Sequence, residues 1–330
     1  MTATATLRRG GRAPVASKDR KTNNRRGAAA AVRSSSARRA KARTPADRDA
    51  TRVIAERRTI DTPLSQATLS AQNALADTEY AQEVIKVLPD VNVVKIGGQS
   101  VMDRGRAALF PLIEEIAVGA KRHNILLCSG GGTRARHAYS VALDLELPTG
   151  VLAAVGVATA VQNARILQML LAKHGGVYMN PEDFEKLPLY FKIGCIPIMN
   201  GMPPYEYWEK PAEAGRIPSN RTDSGTYLTG EFLGARSVIF VKDERGLYTD
   251  DPKKNPDAQF IPRISVQELL TRDLNDLVVE RVVLQNMLNA THVRQIQVIN
   301  GLEPGNLTRA LDGEHVGTII YVDGNTARMG

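Results

Sequence analysis

A chain of 330 residues with 43% hydrophobic side chains holds enough apolar material for one large α/β domain or two small ones. No apolar run approaches the roughly 18 residues that span a bilayer and no secretory apolar core is present, and two cysteines, Cys128 and Cys195, in no metal or redox spacing exclude a disulfide scaffold and suit a reducing cytoplasm. The net charge of +8 is uneven: residues 1–58 carry 17 Lys/Arg against 4 Asp/Glu, and the remainder 26 against 31.

In chain order, residues 1–62 form a basic extension, poor in aromatic and branched aliphatic side chains, that cannot offset the entropy of ordering its backbone and is expected to be disordered. Three readings fit it: a solvated tail, an organellar transit peptide, or an arm that binds nucleic acid by neutralising phosphates. Residues 63–89 are expected to connect it to the fold, with a weak helical stripe over 65–88, and the folded domain is expected over 90–330. "VNVVKI" reads as a strand. "RAALFPLIEEIAVGAK" follows as a helix with Leu109, Leu112, Ile113, Ile116 and Ala120 on one face, and "NILLCS" as a strand apolar on both faces, placing Cys128 inside. This βαβ unit predicts a parallel sheet.

Helices are expected over 133–145 and 156–175, then a strand "IGCIPIM" and a long irregular segment over 200–221 with four prolines and Trp208, the only tryptophan. "TDSGTYLTGEFLG" returns to helix, "SVIFVKD" to strand, and residues 243–258 form a polar, turn-rich stretch. A helix around "ERVVLQNMLNATH", a strand "IQVIN", a short helix opened by Asn306 and a strand "GTIIYV" complete the domain.

Chemistry concentrates where glycines follow strands: Gly97 and Gly98, then Gly130, Gly131 and Gly132, then Gly246. In open parallel sheets ligands bind beyond the carboxyl ends of the strands, so these turns should share one rim. Glycine admits an anion close to backbone N–H groups, and Lys95 adds a point charge; together they suit a nucleotide's phosphates. Each turn by itself is also what any tight turn looks like. Neither the P-loop spacing nor the G-x-G-x-x-G fingerprint occurs at these turns.

Taken together, "VVKIGG", "SGGGTRARH", "RTDSG" and "VKDERGLYTDDPK" resemble, in this order and spacing, the amino acid kinase family. Further stretches, among them "GMPPYEYW" and "PGNLTRALDGEHVGTII", are similar to the oxometalate-storing branch of that family, more to its beta-type than its alpha-type subunit. The resemblance spans residues 88–322 and leaves out the basic arm. It implies a three-layer α/β/α sandwich with a mainly parallel central sheet. It also implies binding of ATP with Mg2+, and a homo- or hetero-hexameric cage, possibly including an alpha-like subunit, that stores molybdate or tungstate with ATP hydrolysis. Carried over, Lys95 and Asp223 are the catalytic pair, with Asp223 organising the region of Lys95. Gly97, Gly98, Gly130, Gly131, Gly132 and Thr133 cradle phosphoryl oxygens, and Lys242, Asp243, Gly246, Tyr248, Asp251 and Pro252 hold the nucleoside.

Other readings stand beside these roles. Asp223, after "RT" and before a helix, fits an N-cap. Asp103 and Arg104 fit either an acceptor contact or a capping turn. His137, beside Arg134 and Arg136, and His174 are the candidate oxometalate contacts; His137 equally fits a partly exposed helical residue and His174 a favourable place at a helix C-terminus. Tyr205, Tyr207 and Trp208 suit loop or interface packing better than cluster binding. The alpha-type run of histidines after "PPY" is absent here, where the segment reads "PPYEYWEK". Besides storage, two other functions fit: a small-molecule kinase, and a non-catalytic scaffold whose arm binds nucleic acid or a charged surface.

Overall fold

The computed structural model describes residues 85–274 and 277–324. The expected basic arm and the expected connecting helix as far as residue 84 lie outside them; residues 85–90 are irregular, held by the Leu88 N–H on the Leu233 carbonyl at 2.7 Å.

Strands β1 (Val91–Ile96), β2 (Asn124–Ser129), β3 (Gly176–Tyr178), β4 (Ile196–Asn200), β5 (Ser237–Lys242), β8 (Arg263–Ser265), β9 (Gln295–Asn300) and β10 (Thr318–Tyr321) form one sheet in the order β3-β4-β2-β1-β5-β9-β10-β8. β6 (Leu247–Tyr248) and β7 (Phe260–Ile261) make a separate two-stranded ribbon. The sheet is parallel from β3 through β9, and β10 runs antiparallel to β9. The parallel core arises because β1, β2, β4 and β5 are runs buried on both faces, which only helical crossovers can cover.

On one face lie α1 (Arg106–Gly119), α3 (Thr149–Leu171) and α8 (Asn306–Leu311), packed on Val94, Ile96, Leu127 and Val241. On the other lie α4 (Leu187–Lys192), α5 (Thr222–Leu233), α6 (Val266–Arg272) and α7 (Arg281–Leu288), packed on Val91, Val93, Leu126 and Phe240. The architecture is therefore a three-layer α/β/α sandwich. Strand alternation puts Lys95 on the same face as Val91 and Val93, the face that α5 covers. α2 (Gly132–Asp144) packs outside this framework, with Tyr139 and Ala142 against Leu152 of α3.

α3 corrects one expectation. It begins seven residues before residue 156, directly after Pro148 at its N-cap. By length and composition alone it is also long and apolar enough to cross a membrane. Its packing is that of a core helix: Ala160, Ala164, Leu167 and Leu171 are fully buried, and so is the amide of Asn163. Each such leucine contributes about 1.5–3 kcal/mol by burial.

The expected strand over 193–199 narrows to β4, because Gly194 takes a positive φ of 76° and turns the chain just before it. Tyr205 is half-buried, and Tyr207 and Trp208 are exposed, the latter at 88%.

Candidate functional site

At the end of β1, Lys95 enters a buried cluster. Its Nζ lies 2.5 Å from Asp223 Oδ1, and Lys242 Nζ, from the end of β5, lies 3.0 Å from Asp223 Oδ2. β1 and β5 are hydrogen-bonded neighbours, so the two lysines emerge side by side, and α5 lowers Asp223 between them. Burial alone would push Asp223 up, but Lys242 and then Lys95 hold its carboxyl well below the usual carboxylate range. Lys242 moves down, because the cost of burial exceeds the help of Asp223.

The N-cap expectation for Asp223 is corrected. Arg221 occupies the N-cap, and the first-turn N–H groups of α5 donate to Glu280: those of Arg221 and Ser224 to Oε2, both at 3.0 Å, and that of Asp223 to Oε1 at 3.1 Å. Burial and then the charge of Asp223 push the Glu280 carboxyl up, against the opposing pull of Arg221. The side chain of Asp223 is thus left entirely to the lysines.

Above the lysines the two glycine turns are pressed together. A Cβ on Gly98 would stand 2.2 Å from the Gly132 nitrogen, and one on Gly130 2.8 Å from the Gly98 nitrogen and 3.3 Å from Lys95 Nζ. Gly132 has φ +70°, and its Cβ would strike the Asp103 carboxylate at 2.7 Å. That carboxylate accepts the Thr133 N–H at 2.6 Å, so Asp103 serves as a capping group for α2. Asn163 of α3 ties the second turn down, its amide donating to the Gly130 carbonyl at 2.5 Å and accepting from Arg134.

At the mouth Asp243 sits between Arg104 at 2.5 Å and Lys253 at 2.7 Å. Burial opposes, but Lys253 and Arg104 together hold the Asp243 carboxyl below its ordinary value. Asp251 Oδ1 accepts the Lys253 N–H at 3.0 Å, folding the 250–255 turn over the opening.

These elements enclose a cavity of about 610 Å³, a size suited to a nucleotide. Of the residues singled out in the sequence, Lys95, Gly97, Gly98, Gly130, Gly131, Gly132, Lys242, Asp243, Gly246, Tyr248, Asp251 and Pro252 line it. Asp223 lies beneath, against both lysines. Thr133 does not line it, since its N–H is turned onto Asp103. His137 and His174 are exposed on α2 and after α3 and do not line it either. Sequence reading missed Glu280, Arg136, Arg221 and Tyr139, all in the lining. Burial pushes the Tyr139 hydroxyl up to about 12. Among the described residues no group of three or more His, Cys, Asp or Glu is placed to hold a metal ion by itself.

A mainly parallel sheet between two helical layers, with lysines and glycine turns converging at the strand ends, defines an α/β/α sandwich whose basic, glycine-lined cavity opens at the strand ends. The profile of the amino acid kinase family matches residues 90–300, and the chain belongs to that family. Within it, the chain is 51% identical over 257 residues to the molybdenum storage protein subunit beta of Azotobacter vinelandii, across 76% of this chain and 95% of the relative. It is 30% identical over 241 residues to the uridylate kinase of Thermofilum pendens, across 69% of this chain and 96% of that enzyme. Among solved structures, the uridylate kinase of Archaeoglobus fulgidus matches with a TM-score of 0.54 at 24% identity, covering 72% of this chain and all of that one. The UMP kinase of Bacillus anthracis matches with 0.55 at 18%, covering 72% and 98%. At these identities the structural matches speak for the fold.

Proposed function

We propose that this chain is a subunit of a molybdenum-storing assembly that binds ATP with Mg2+ in the 610 Å³ cavity and accumulates molybdate or tungstate with ATP hydrolysis. The observation that carries the reading is the 51% identity over nearly the whole length of a molybdenum storage protein subunit. The cavity's chemistry supports it: paired lysines at its floor, glycine backbone beside them and a polar mouth fit a nucleoside triphosphate with its phosphates innermost.

In this reading bound ATP supplies the phosphoryl group and the free energy of its hydrolysis. Lys95 and Lys242 neutralise the phosphate oxygens, Asp223 fixes the direction of both ammonium groups, and the turns at Gly97–Gly98 and 130–132 bring backbone N–H groups within reach. Gly246, Tyr248, Asp251 and Pro252 flank the nucleoside end. Mg2+ would be held by one or two of the mouth carboxylates, Asp243, Glu244, Asp250 or Asp251, and would supply charge neutralisation for the phosphates. His137 and His174 lie outside the lining, so any contact they make with stored oxoanion belongs to another surface. The reading includes a homo- or hetero-hexamer, with an alpha-like partner supplying histidines that "PPYEYWEK" lacks, in the cytoplasm.

The test is elemental analysis of the size-exclusion peak after incubation with molybdate, with and without MgATP. ATP-dependent molybdenum co-eluting with an oligomer supports the reading. No molybdenum, with this chain alone and after co-expression with an alpha-type subunit, overturns it. The uridylate kinase relatives favour a second reading, transfer of the γ-phosphoryl group to a small acceptor, for which the sign is acceptor-dependent ADP release.

A further inference from the structure

Glu280 occupies the N-cap of α7, yet its side chain caps nothing there. It crosses instead to α5 and takes three of that helix's orphan donors, the N–H groups of Arg221, Asp223 and Ser224. α5 has no cap of its own, since Arg221 offers no acceptor. Arg221 Nε stands 3.6 Å from Glu280 Oε1, and the Glu280 side chain is almost fully enclosed. A carboxylate at this place gains from the positive end of the helix and from each N–H it accepts.

One of the three donors belongs to Asp223 itself. The backbone that carries Asp223 into the space between Lys95 and Lys242 is therefore latched, at that very residue, at Ser224 after it and at Arg221 two before it, to a group from 57 residues further along the chain. We infer that Glu280 is a positioning residue for the Lys95–Asp223–Lys242 cluster: its carboxylate holds the first turn of α5 so that both ammonium groups are aimed at the ligand. The inference deepens the reading that these lysines bind nucleotide phosphate and rests on it for its functional half.

The geometry separates this role from that of a plain helix cap. Glu280→Gln keeps the shape but replaces one acceptor oxygen by an NH2 group, which then faces backbone donors, so either the Asp223 N–H or the Arg221 and Ser224 pair loses its partner. Glu280→Asp keeps the charge on a shorter stem. The first readout is ligand-free and uses the full chain: the rate at which an amine-reactive reagent modifies Lys95 and Lys242, followed by peptide mass spectrometry, with exposed Lys253 as the internal reference. Glu280→Gln is expected to speed modification of Lys95 and Lys242 about tenfold relative to Lys253, with Glu280→Asp between it and the parent.

The second readout is ATP hydrolysis, where Glu280→Gln should lower kcat on the order of 100-fold, the cost of a misplaced charge, with partial recovery in Glu280→Asp. Equal acceleration at all three lysines, or no change at Lys95 and Lys242, overturns the positioning role and leaves a cap that only stabilises. If Glu280→Gln fails to fold, Glu280→Asp decides by the same ratio. Calorimetry of the parent with MgATP keeps the two ideas apart: no binding there defeats the nucleotide reading, while the labelling ratio still judges the latch.

Discussion

The cavity contains the same ionic motif twice, an aspartate between two cations, and the two copies differ in depth. At the floor Lys95 and Asp223 have side chains 6% and 7% exposed; at the mouth Arg104 and Lys253, around Asp243, are 45% and 53% exposed. Charge count and distances are alike, so water makes the difference. At the floor the two lysine side chains, 6% and 16% exposed, have little solvent to fall back on, and removing the aspartate strands two ammonium groups at close range. At the mouth each cation can return to water at little cost. The floor is thus built to hold a fixed geometry and the mouth to exchange partners, as a site that admits and releases a charged ligand requires.

The largest test removes the floor aspartate. Asp223→Asn should destabilise the fold by about 3–5 kcal/mol in urea unfolding, because it leaves buried charge unpaired. The pH dependence has a definite sign. Asp223 is held below its unfolded value, so its contribution is complete above about pH 4 and is lost as pH falls through the lower native value. The stability gap between parent and variant should therefore stay constant from pH 5 to 7 and narrow only in stronger acid. A constant gap down to the lowest pH would mean that the lysines do not hold the carboxylate.

Next in size is Gly98→Ala. Its Cβ meets the backbone of Gly132 at 2.2 Å, so one glycine turn must move off the other. A loss of about 1–3 kcal/mol is expected, together with weaker MgATP binding in calorimetry. A stable variant with parental affinity would show that the turns need not touch.

A smaller effect is expected at the mouth, where Asp243→Asn should cost under about 1 kcal/mol and lose most of that difference in concentrated salt. An effect as large as that of Asp223→Asn would erase the contrast between the two motifs. The smallest signal is a null. Cys128 stands opposite Lys95 across β1 and β2, and burial pushes its thiol up to about 12. It should resist a thiol reagent at pH 8 in the folded chain while half-buried Cys195 reacts, which checks that the sheet behind Lys95 is closed to solvent.

The parts of this site that were legible in the sequence are those written in contiguous residues. "VVKIGG" and "SVIFVKD" announce a buried strand ending in a lysine, and the glycine turns follow directly on their strands. The profile of an apolar run is enough to place such a residue at a strand end. Glu280 was illegible for the opposite reason: nothing in "VVERVV" separates a glutamate that starts its own helix from one that caps another 57 residues away. Asp223 was legible only through the family resemblance, which assigned it to Lys95; its neighbours along the chain suggest a cap, while its partners come from β1 and β5.

The sequence reading opened α3 at Gly156 and left Gly150 outside it, because a glycine weakens a helical pattern. In the fold Gly150 and Gly156 are sites of close approach, to the Tyr207 carbonyl and the Tyr139 hydroxyl. β3 and β8, three residues each, are too short for periodicity to mark.

The place of β10 bears on how the molecule comes into being. β8 lies at the sheet's edge with β10 as its partner there, and β10 is the last strand of the described chain. During synthesis, β1, β2, β4 and β5 can pair as they emerge, but β8 leaves the ribosome more than fifty residues before the strand that will receive it. Until then the outer edge of β9, which β10 will cover, stays open, and β8 is left without a partner strand. Completion of the sheet therefore waits on translation of residues 318–321, and a stalled or truncated product ends as a half-closed sheet suited to capture by chaperones and proteases.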